Sequence, residues 1–274
     1  MTAIQAIVMA VLQGVTELFP ISSLGHAVIL PRLLHWPVDL KAPDWLAYLV
    51  VMHLGTAIAL IVFFWRDWLS FALSLAGLSG PRVGPDRRLL LLIVLATIPA
   101  VIVGAAFRKL LGDAFATPVI AASFLIVNGL VLYFGDRIGD DAEGRLDQLN
   151  WKGAIAIGIA QCFALIPGFS RSGLTMAAGV LAGLKHEDAA RFSFLMGTPI
   201  ILAAGVHEGP KLLKEGATLG PMALLSGVVA GIVAYASLWA LMRWFRRHEF
   251  EALTPFAYYC MGAGIIFLTV LKFF

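Results

Sequence analysis

The chain has 274 residues, of which 60% are hydrophobic and 14% are charged, and its mean hydropathy is +0.88. Soluble domains carry about 25% charged residues, so the composition excludes a soluble protein and predicts an integral membrane protein with a single membrane domain, residues 1–274. The formal net charge of +3 comes from cations scattered through the loops between apolar segments, which is typical of membrane proteins and does not indicate a nucleic acid partner.

The first apolar region, residues 2–36, is interrupted by the polar segment Phe19-Pro20-Ile21-Ser22-Ser23. Because proline ends a helix and a following serine can cap a new one, this region predicts two helices that meet at a polar turn. We interpret it as a re-entrant helical hairpin, since non-helical backbone at membrane depth persists only where protein or a water-filled cavity covers it.

The apolar stretches that follow are long enough to cross about 30 Å of hydrocarbon, and they predict transmembrane helices at 46–65, 89–108 and 117–135. The residues between the first two helices, 66–88, are predicted to form a loop.

A second broken region, residues 151–184, is interrupted at Pro167-Gly168-Phe169-Ser170 and predicts a second re-entrant hairpin. Beyond it, apolar stretches predict transmembrane helices at 190–207, 220–243 and 254–272. The predicted fold class is therefore an all-α integral membrane protein with six transmembrane helices and two re-entrant helical hairpins.

The two halves of the chain resemble each other, which indicates an internal repeat. An offset of 148 residues (170 − 22) places Ser22 on Ser170 and Gly25 on Gly173. Each half, about 1–135 and about 151–274, then contains one hairpin and three spans, and an odd number of spans makes the second half inverted relative to the first. The two breaks are expected to meet near the middle of the membrane. The distribution of Lys and Arg places the 66–88 loop inside and both termini outside.

The first break carries an acid that needs a positive partner. Glu17 and Gln13 are four residues apart, so on one helix they share a face. A divalent cation that bridges Glu17 to a phosphate would neutralise both, with Gln13 as a second ligand. The alternative is a neutral Glu17 that makes a structural hydrogen bond. One acid and one amide do not identify the cation, so Mg²⁺ or Ca²⁺ is an inference from phosphate chemistry.

Two serines and a histidine follow this acid. Ser22 and Ser23 can start the outgoing helix, whose N–H groups and positive dipole end attract a phosphate. Only one of the two serines can be a nucleophile, and capping is the alternative for both. His26 lies three and four residues after them, so its ring can reach a hydroxyl or a leaving group, unless it makes only a structural hydrogen bond. His53 is interpreted as structural.

The second break carries a cation and several hydroxyls. The planar guanidinium of Arg171 suits phosphate oxygens, and Ser170, Ser172 and Thr175 supply further donors near a helix start. Together they predict a site for an anion. The alternative is an Arg171 that pairs only with Glu17 as a structural ion pair.

These residues together resemble the undecaprenyl-diphosphate phosphatase family, also called bacitracin-resistance proteins. The resemblance covers nearly the whole chain and is carried by Gln13-x3-Glu17, Ser22-Ser23-Leu24-Gly25-His26 and Pro167-Gly168-Phe169-Ser170-Arg171-Ser172-Gly173-Leu174-Thr175. It implies an enzyme of the bacterial inner membrane that removes the terminal phosphate of undecaprenyl diphosphate on the outer face with a divalent cation, which recycles the lipid carrier for cell-wall synthesis. It also implies Ser23 as nucleophile and His26 as proton donor.

The predicted site thus has Glu17, Ser23, His26 and Arg171 in catalysis, and Ser22, Ser170, Ser172 and Thr175 with Arg171 at the phosphate. Attack by a water activated at Glu17 or His26 would need the same residues. A transporter or flippase for polyprenyl phosphate is the main alternative function, because paired broken helices in inverted repeats are also a transporter design. A structural scaffold is a third. Two copies of the chain could also form a homodimer.

Overall fold

The computed structural model describes residues 1–106, 117–139, 142–218, 220–248 and 250–273, and within these ranges the chain is almost entirely helical. We number its α-helices in chain order: α1 (Ala3–Thr16), α2 (Ser23–Leu33), α3 (Pro43–Phe63), α4 (Trp65–Leu75), α5 (Val83–Ala106), α6 (Pro118–Ile138), α7 (Trp151–Phe163), α8 (Arg171–Leu181), α9 (His186–Lys214), α10 (Pro221–Arg247) and α11 (Thr254–Phe273).

Six of the described helices are long and apolar enough to cross a membrane, namely α3, α5, α6, α9, α10 and α11. The prediction of six spans is confirmed, and the protein is a multi-pass membrane protein. Several helices run past the apolar stretch that predicted them, because polar residues near a membrane surface also form helix. The α9 helix, for example, continues from the predicted end at 207 to Lys214. The predicted end of the second span, at 108, lies outside the described residues.

The prediction of a loop at 66–88 is wrong. Most of its first half forms α4, and α5 already begins at Val83. The α4 helix packs against α5 and buries Phe71 and Ser74, while Leu69 and Leu73 are exposed. With 11 residues it is about 16 Å long, which is too short to span a membrane, so a search for long apolar stretches does not detect it.

The two predicted breaks are confirmed as the ends of short helices. The α1 helix ends at Thr16 and α2 begins at Ser23, while α7 ends at Phe163 and α8 begins at Arg171. The predicted serine caps are present in both pairs and are described with the site below.

Helices from the two halves pack against each other throughout the molecule. The α1 helix lies against α10, and α7 lies against α5. In the middle, α3 contacts α9, and α6 contacts α11. This arrangement surrounds both turns with protein, so Glu17, Ser22 and Ser170 are buried.

Candidate active site

The two non-helical turns touch each other, and two glycines allow the close approach. A Cβ atom on Gly25 would lie 3.2 Å from the Cα of Gly168 in the second turn. A Cβ atom on Gly173 would likewise lie 3.2 Å from the Cβ of Pro20 in the first turn. Each glycine at the start of a helix therefore faces the turn of the other half, and a larger side chain would push the turns apart.

Asn128 on α6 ties the two turns together. Its Nδ2 donates to the carbonyl oxygen of Pro20 at 3.1 Å, and its Oδ1 accepts from the amide N–H of Ser170 at 2.9 Å. The side chain is completely buried. Water therefore cannot take its place as the hydrogen-bond partner of the Pro20 carbonyl and the Ser170 amide. Asn128 therefore fixes the distance between the turns.

Glu17 is the centre of the polar cluster between the turns. Its Oε1 accepts from Nη2 of Arg171 at 3.0 Å. Its Oε2 accepts from the Oγ of Ser23 at 2.6 Å and from the Nε2 of Gln13 at 3.2 Å. The carboxylate is buried, and a buried charge needs such partners. The structure thus brings together the acid and hydroxyl of the first turn and the guanidinium of the second.

Arg171 extends from the start of α8 towards α9. Besides Glu17, it donates from Nη1 to the carbonyl oxygen of Ser193 at 3.4 Å. It passes over Gly197, where a Cβ atom would lie 2.6 Å from the guanidinium carbon. About 14% of the side chain is exposed. The guanidinium therefore has only part of its donor capacity in use and part of its surface open.

His53 also belongs to this cluster, although the sequence predicted only a structural role for it. From α3, its Nε2 lies 3.4 Å from Oε2 of Glu17, and its Nδ1 donates to the carbonyl oxygen of Leu49 at 2.8 Å. The side chain is 27% exposed. The signal in the sequence was a histidine inside the apolar stretch 46–65, because ionisable residues in such stretches are usually functional.

His26 contacts different groups from those its spacing predicted. Its Nδ1 donates to the backbone carbonyl of Ser22 at 2.7 Å, and its Nε2 bonds the hydroxyl of Tyr259 on α11 at 2.8 Å. The ring also stacks on that of Tyr259. The two ring nitrogens therefore bond the backbone carbonyl of Ser22 and the phenol of Tyr259, and neither bonds a serine hydroxyl. The structure places His26 beside the cluster, with its ring held by protein.

All four hydroxyls predicted to bind the phosphate are buried and bonded to protein. The Oγ atoms of Ser22 and Ser170 cap their helices by accepting from amides three residues later, each at 3.1 Å. Ser172 Oγ bonds Ser170 Oγ at 3.1 Å, and Thr175 Oγ1 donates to the carbonyl of Arg171 at 2.8 Å. Ser23 and Arg171, by contrast, are partly exposed.

The acid and its neighbouring amide could hold a cation. The Oε1 of Gln13 is buried and has no hydrogen-bond partner in the described part of the chain, and the Glu17 carboxylate accepts from the same amide group. Carboxylate and amide oxygens are the ligands that Mg²⁺ and Ca²⁺ prefer. Among the described residues no cluster of three His, Cys, Asp or Glu side chains is present. The residues therefore fit a cation that also binds oxygens of a substrate or of water.

Comparisons with known proteins point to one family. The family described as bacitracin resistance protein BacA matches residues 6–266, which include both turns and all the residues above. The chain is 48% identical to an undecaprenyl-diphosphatase of Acidiphilium cryptum, over 100% of this chain and 99% of the relative. It is 47% identical to an undecaprenyl-diphosphatase of Granulibacter bethesdensis, over 100% and 98%, and 45% identical to undecaprenyl-diphosphatase 2 of Chromobacterium violaceum, over 97% and 98%.

Proposed function

The chain belongs to the bacitracin resistance protein family, and we propose that it hydrolyses undecaprenyl diphosphate to undecaprenyl phosphate and inorganic phosphate. Relatives named for this activity match it over essentially their whole length. The reaction recycles the lipid carrier for cell-wall synthesis in the bacterial inner membrane.

The contact that carries this proposal is the 2.6 Å hydrogen bond from Ser23 to Glu17, whose other oxygen binds Arg171. A hydroxyl bonded to a carboxylate has a base in place for its proton, which makes it a nucleophile. Ser23 Oγ attacks the terminal phosphorus while Glu17 takes the proton, and the bond from that phosphorus to the bridging oxygen breaks. The lipid phosphate leaves, and water then hydrolyses the phosphoserine.

Arg171 binds the phosphate oxygens in this mechanism. Its partly open guanidinium can turn from Glu17 to the substrate, where fixed positive charge stabilises the charge that develops during transfer. Ser22, Ser170, Ser172 and Thr175 complete the phosphate site. Ser22 and Ser170 act by capping the helix starts, so that the remaining backbone N–H groups face the anion. Ser172 and Thr175 act by holding Ser170 and the backbone of Arg171 in place. His26, three residues after Ser23, is the proton donor to the leaving group, and in this step a protonated Nε2 exchanges the Tyr259 hydroxyl for the leaving oxygen.

Glu17 and Gln13 would hold a divalent cation, Mg²⁺ or Ca²⁺, which would offset the negative charge of the diphosphate. The support for this assignment is the buried, unpartnered oxygen of Gln13 next to the carboxylate.

Both short helix pairs enter the membrane and return, as re-entrant hairpins of an inverted repeat. Their helices of 11 to 14 residues are about 16 to 21 Å long, too short to cross about 30 Å. The packing supports the repeat, because α1 lies on α10 as its counterpart α7 lies on α5. The reciprocal contacts of Gly25 and Gly173 with the opposite turns support it as well. The site opens to the periplasm or cell exterior, in keeping with the Lys and Arg distribution.

Phosphate release by the purified full chain in detergent, with undecaprenyl diphosphate and Mg²⁺, tests the function. We expect Ser23→Ala and Arg171→Ala each to lower the rate on the order of 10³-fold. Ser123→Ala is the matched control, because this serine is on α6 and bonds only its own helix. Wild-type rates in both site variants would refute the proposed site.

The same preparation tests the covalent step. Substrate labelled in the terminal phosphate should leave label on Ser23 after a rapid quench, located by mass spectrometry of the peptide. A quenched enzyme that turns over at the normal rate without labelled serine would favour direct attack by water.

A further inference from the structure

The ring of His53 is held in a defined orientation. Its Nδ1 lies 2.8 Å from the carbonyl oxygen of Leu49, one turn earlier on α3. A carbonyl oxygen can only accept, so Nδ1 carries a hydrogen, and in the neutral ring the lone pair is on Nε2. That lone pair is on the nitrogen nearest Glu17, 3.4 Å from Oε2.

The contact between His53 and Glu17 joins two acceptors when the ring is neutral and the acid is ionised. Nothing in the pair itself then supplies the attraction that holds the atoms together. A third acceptor, the Oε1 of Gln13, is buried without a partner in the part of the chain that the structure describes, and the nitrogen of the same amide donates to this carboxylate. The Nε2 lone pair of His53 and the Oε1 of Gln13 therefore lack a donor, and both belong to side chains that contact Oε2 of Glu17. A cation bound at that carboxylate would give each of them a partner.

We propose that His53 is a ligand of the divalent cation, through Nε2, together with Glu17 and Gln13. This inference rests on the proposed function, since it concerns the cation of the same site. A metal-bound histidine usually donates its other ring N–H to a carboxylate, a carbonyl or water, which fixes the tautomer. The bond from Nδ1 to Leu49 is that arrangement.

An imidazole ligand changes which cation the site prefers. Ca²⁺ and Mg²⁺ are hard cations that bind oxygen ligands, whereas imidazole suits transition metals, and carboxylate and carbonyl oxygens also suit Mn²⁺. A site made of one imidazole, one carboxylate and one amide therefore binds Mn²⁺ more tightly than Mg²⁺ or Ca²⁺. The competing explanation is that His53 is an imidazolium that forms an ion pair with Glu17 and binds no metal.

Electron paramagnetic resonance of Mn²⁺ separates these explanations without measuring turnover. With the purified full chain in detergent, we expect bound Mn²⁺ to show coupling to a histidine nitrogen, confirmed by a change of the coupling when the histidines are labelled with ¹⁵N. We expect His53→Gln to lose the coupling and to bind Mn²⁺ at least about tenfold more weakly, with a smaller effect on competition by Mg²⁺.

His248→Gln is the matched control. The Nδ1 of His248 also lies near the carbonyl four residues earlier, at 3.0 Å from Trp244, but its ring stacks on that tryptophan. This variant should keep both the coupling and the affinity. Bound Mn²⁺ without histidine coupling in the wild type, or unchanged coupling in His53→Gln, would overturn the assignment. Should His53→Gln fail to fold, the ¹⁵N experiment on the wild type decides alone.

Phosphate release is measured on the same samples as an independent result. A wild-type protein that shows the nitrogen coupling but no phosphate release would refute the proposed function and leave the ligand assignment in place. The converse result, phosphate release with no histidine coupling, would refute the ligand assignment alone.

Discussion

The turn between α1 and α2 and the turn between α7 and α8 share a hydrogen-bonded frame, although Ser22 has a φ of 69° and Ser170 a φ of −95°. In each, a serine accepts a hydrogen bond from the glycine amide three residues later, at 3.1 Å: Ser22 from Gly25, and Ser170 from Gly173. Each of these glycines packs against the other turn. The two halves therefore share the capping serine and the glycine three residues after it.

The chemistry of the two turns differs at the positions that the frame leaves free. Ser23 in the first half corresponds to Arg171 in the second, at the same offset of 148 residues (171 − 23). The acid Glu17 corresponds to Leu165, and His26 corresponds to Leu174. One half therefore supplies an acid and a hydroxyl, and the other supplies a guanidinium. The comparison teaches that a repeated frame makes a site only when its two copies carry unlike side chains.

The largest loss of activity is expected when Glu17 is replaced by leucine, the residue at the corresponding position of the second turn. Glu17→Leu places the residue type of the second half in the first and leaves Arg171 without its carboxylate. Phosphate release should fall at least about 10³-fold, and the free energy of unfolding should fall by about 3–5 kcal/mol, because a buried charge loses its partner.

The double variant Glu17→Leu, Arg171→Leu is the control for that loss of stability. Removing both charges should restore most of the thermal stability in detergent and none of the activity. Wild-type stability in the Glu17→Leu single variant would show that the ion pair does not hold the turns together.

A smaller effect is expected from cutting the link between the turns. Asn128→Leu leaves the carbonyl of Pro20 and the amide of Ser170 buried without partners, and it should lower the free energy of unfolding by about 2–4 kcal/mol. Ser123→Ala, on the same helix, should change it by less than about 0.5 kcal/mol. Thermal unfolding in detergent measures both, and equal stabilities would contradict the bridging role.

Gly55 on α3 and Gly197 on α9 correspond at an offset of 142 residues (197 − 55), and they should respond differently to the same substitution. A Cβ on Gly55 would lie 2.8 Å from the carbonyl carbon of Gly227, so Gly55→Ala should cost about 1–3 kcal/mol of stability. In Gly197→Ala the new methyl meets the flexible end of Arg171, which can move away. We expect stability within about 1 kcal/mol of wild type but about tenfold slower phosphate release.

A comparison of thermal unfolding and phosphate release for the two alanine variants checks this contrast. Loss of stability in Gly197→Ala equal to that in Gly55→Ala would mean that the guanidinium cannot shift, and that it is a fixed structural ion pair.

The smallest effects concern the caps themselves. Ser22→Ala and Ser170→Ala should each lower stability by about 1 kcal/mol, because each removes one acceptor at a helix start. Ser22→Gly should cost only a few tenths of that amount, since Ser22 has a φ of 69°, which glycine adopts freely. Clearly unequal losses for the two alanine variants would show that the frames are not equivalent in energy.

Most of the fold could be predicted from the sequence because its signals are local. A stretch of apolar residues with the length of a bilayer gives a span wherever it occurs, and Pro20 and Pro167 are each followed within three residues by a serine that caps the next helix. The α4 helix was not predicted, because its apolar stretch is short and polar residues interrupt it, as in a loop. Its position depends on α5, against which it packs.

The candidate site could be predicted only as a set of residues. Glu17, Ser23 and Arg171 stood out because polar and charged groups are rare in so apolar a chain. The spacing of His26 predicted a contact with the serines, yet its ring bonds Tyr259, 233 residues away. The sequence did not indicate that His53 belongs to the site, because no acidic residue lies near it in sequence. Its neighbour in space, Glu17, follows a different helix.

The sequence by itself determined the membrane-embedded helices, the two interruptions and the residues that cap them, because hydropathy, proline and helix capping act over a few neighbouring residues. Only the tertiary structure decided which polar groups meet. Glu17 and Arg171 are 154 residues apart, and their contact exists because the helices of the two halves pack together and bring both turns to one place. Contacts of that kind depend on the geometry of the whole assembly of helices, which no local pattern contains.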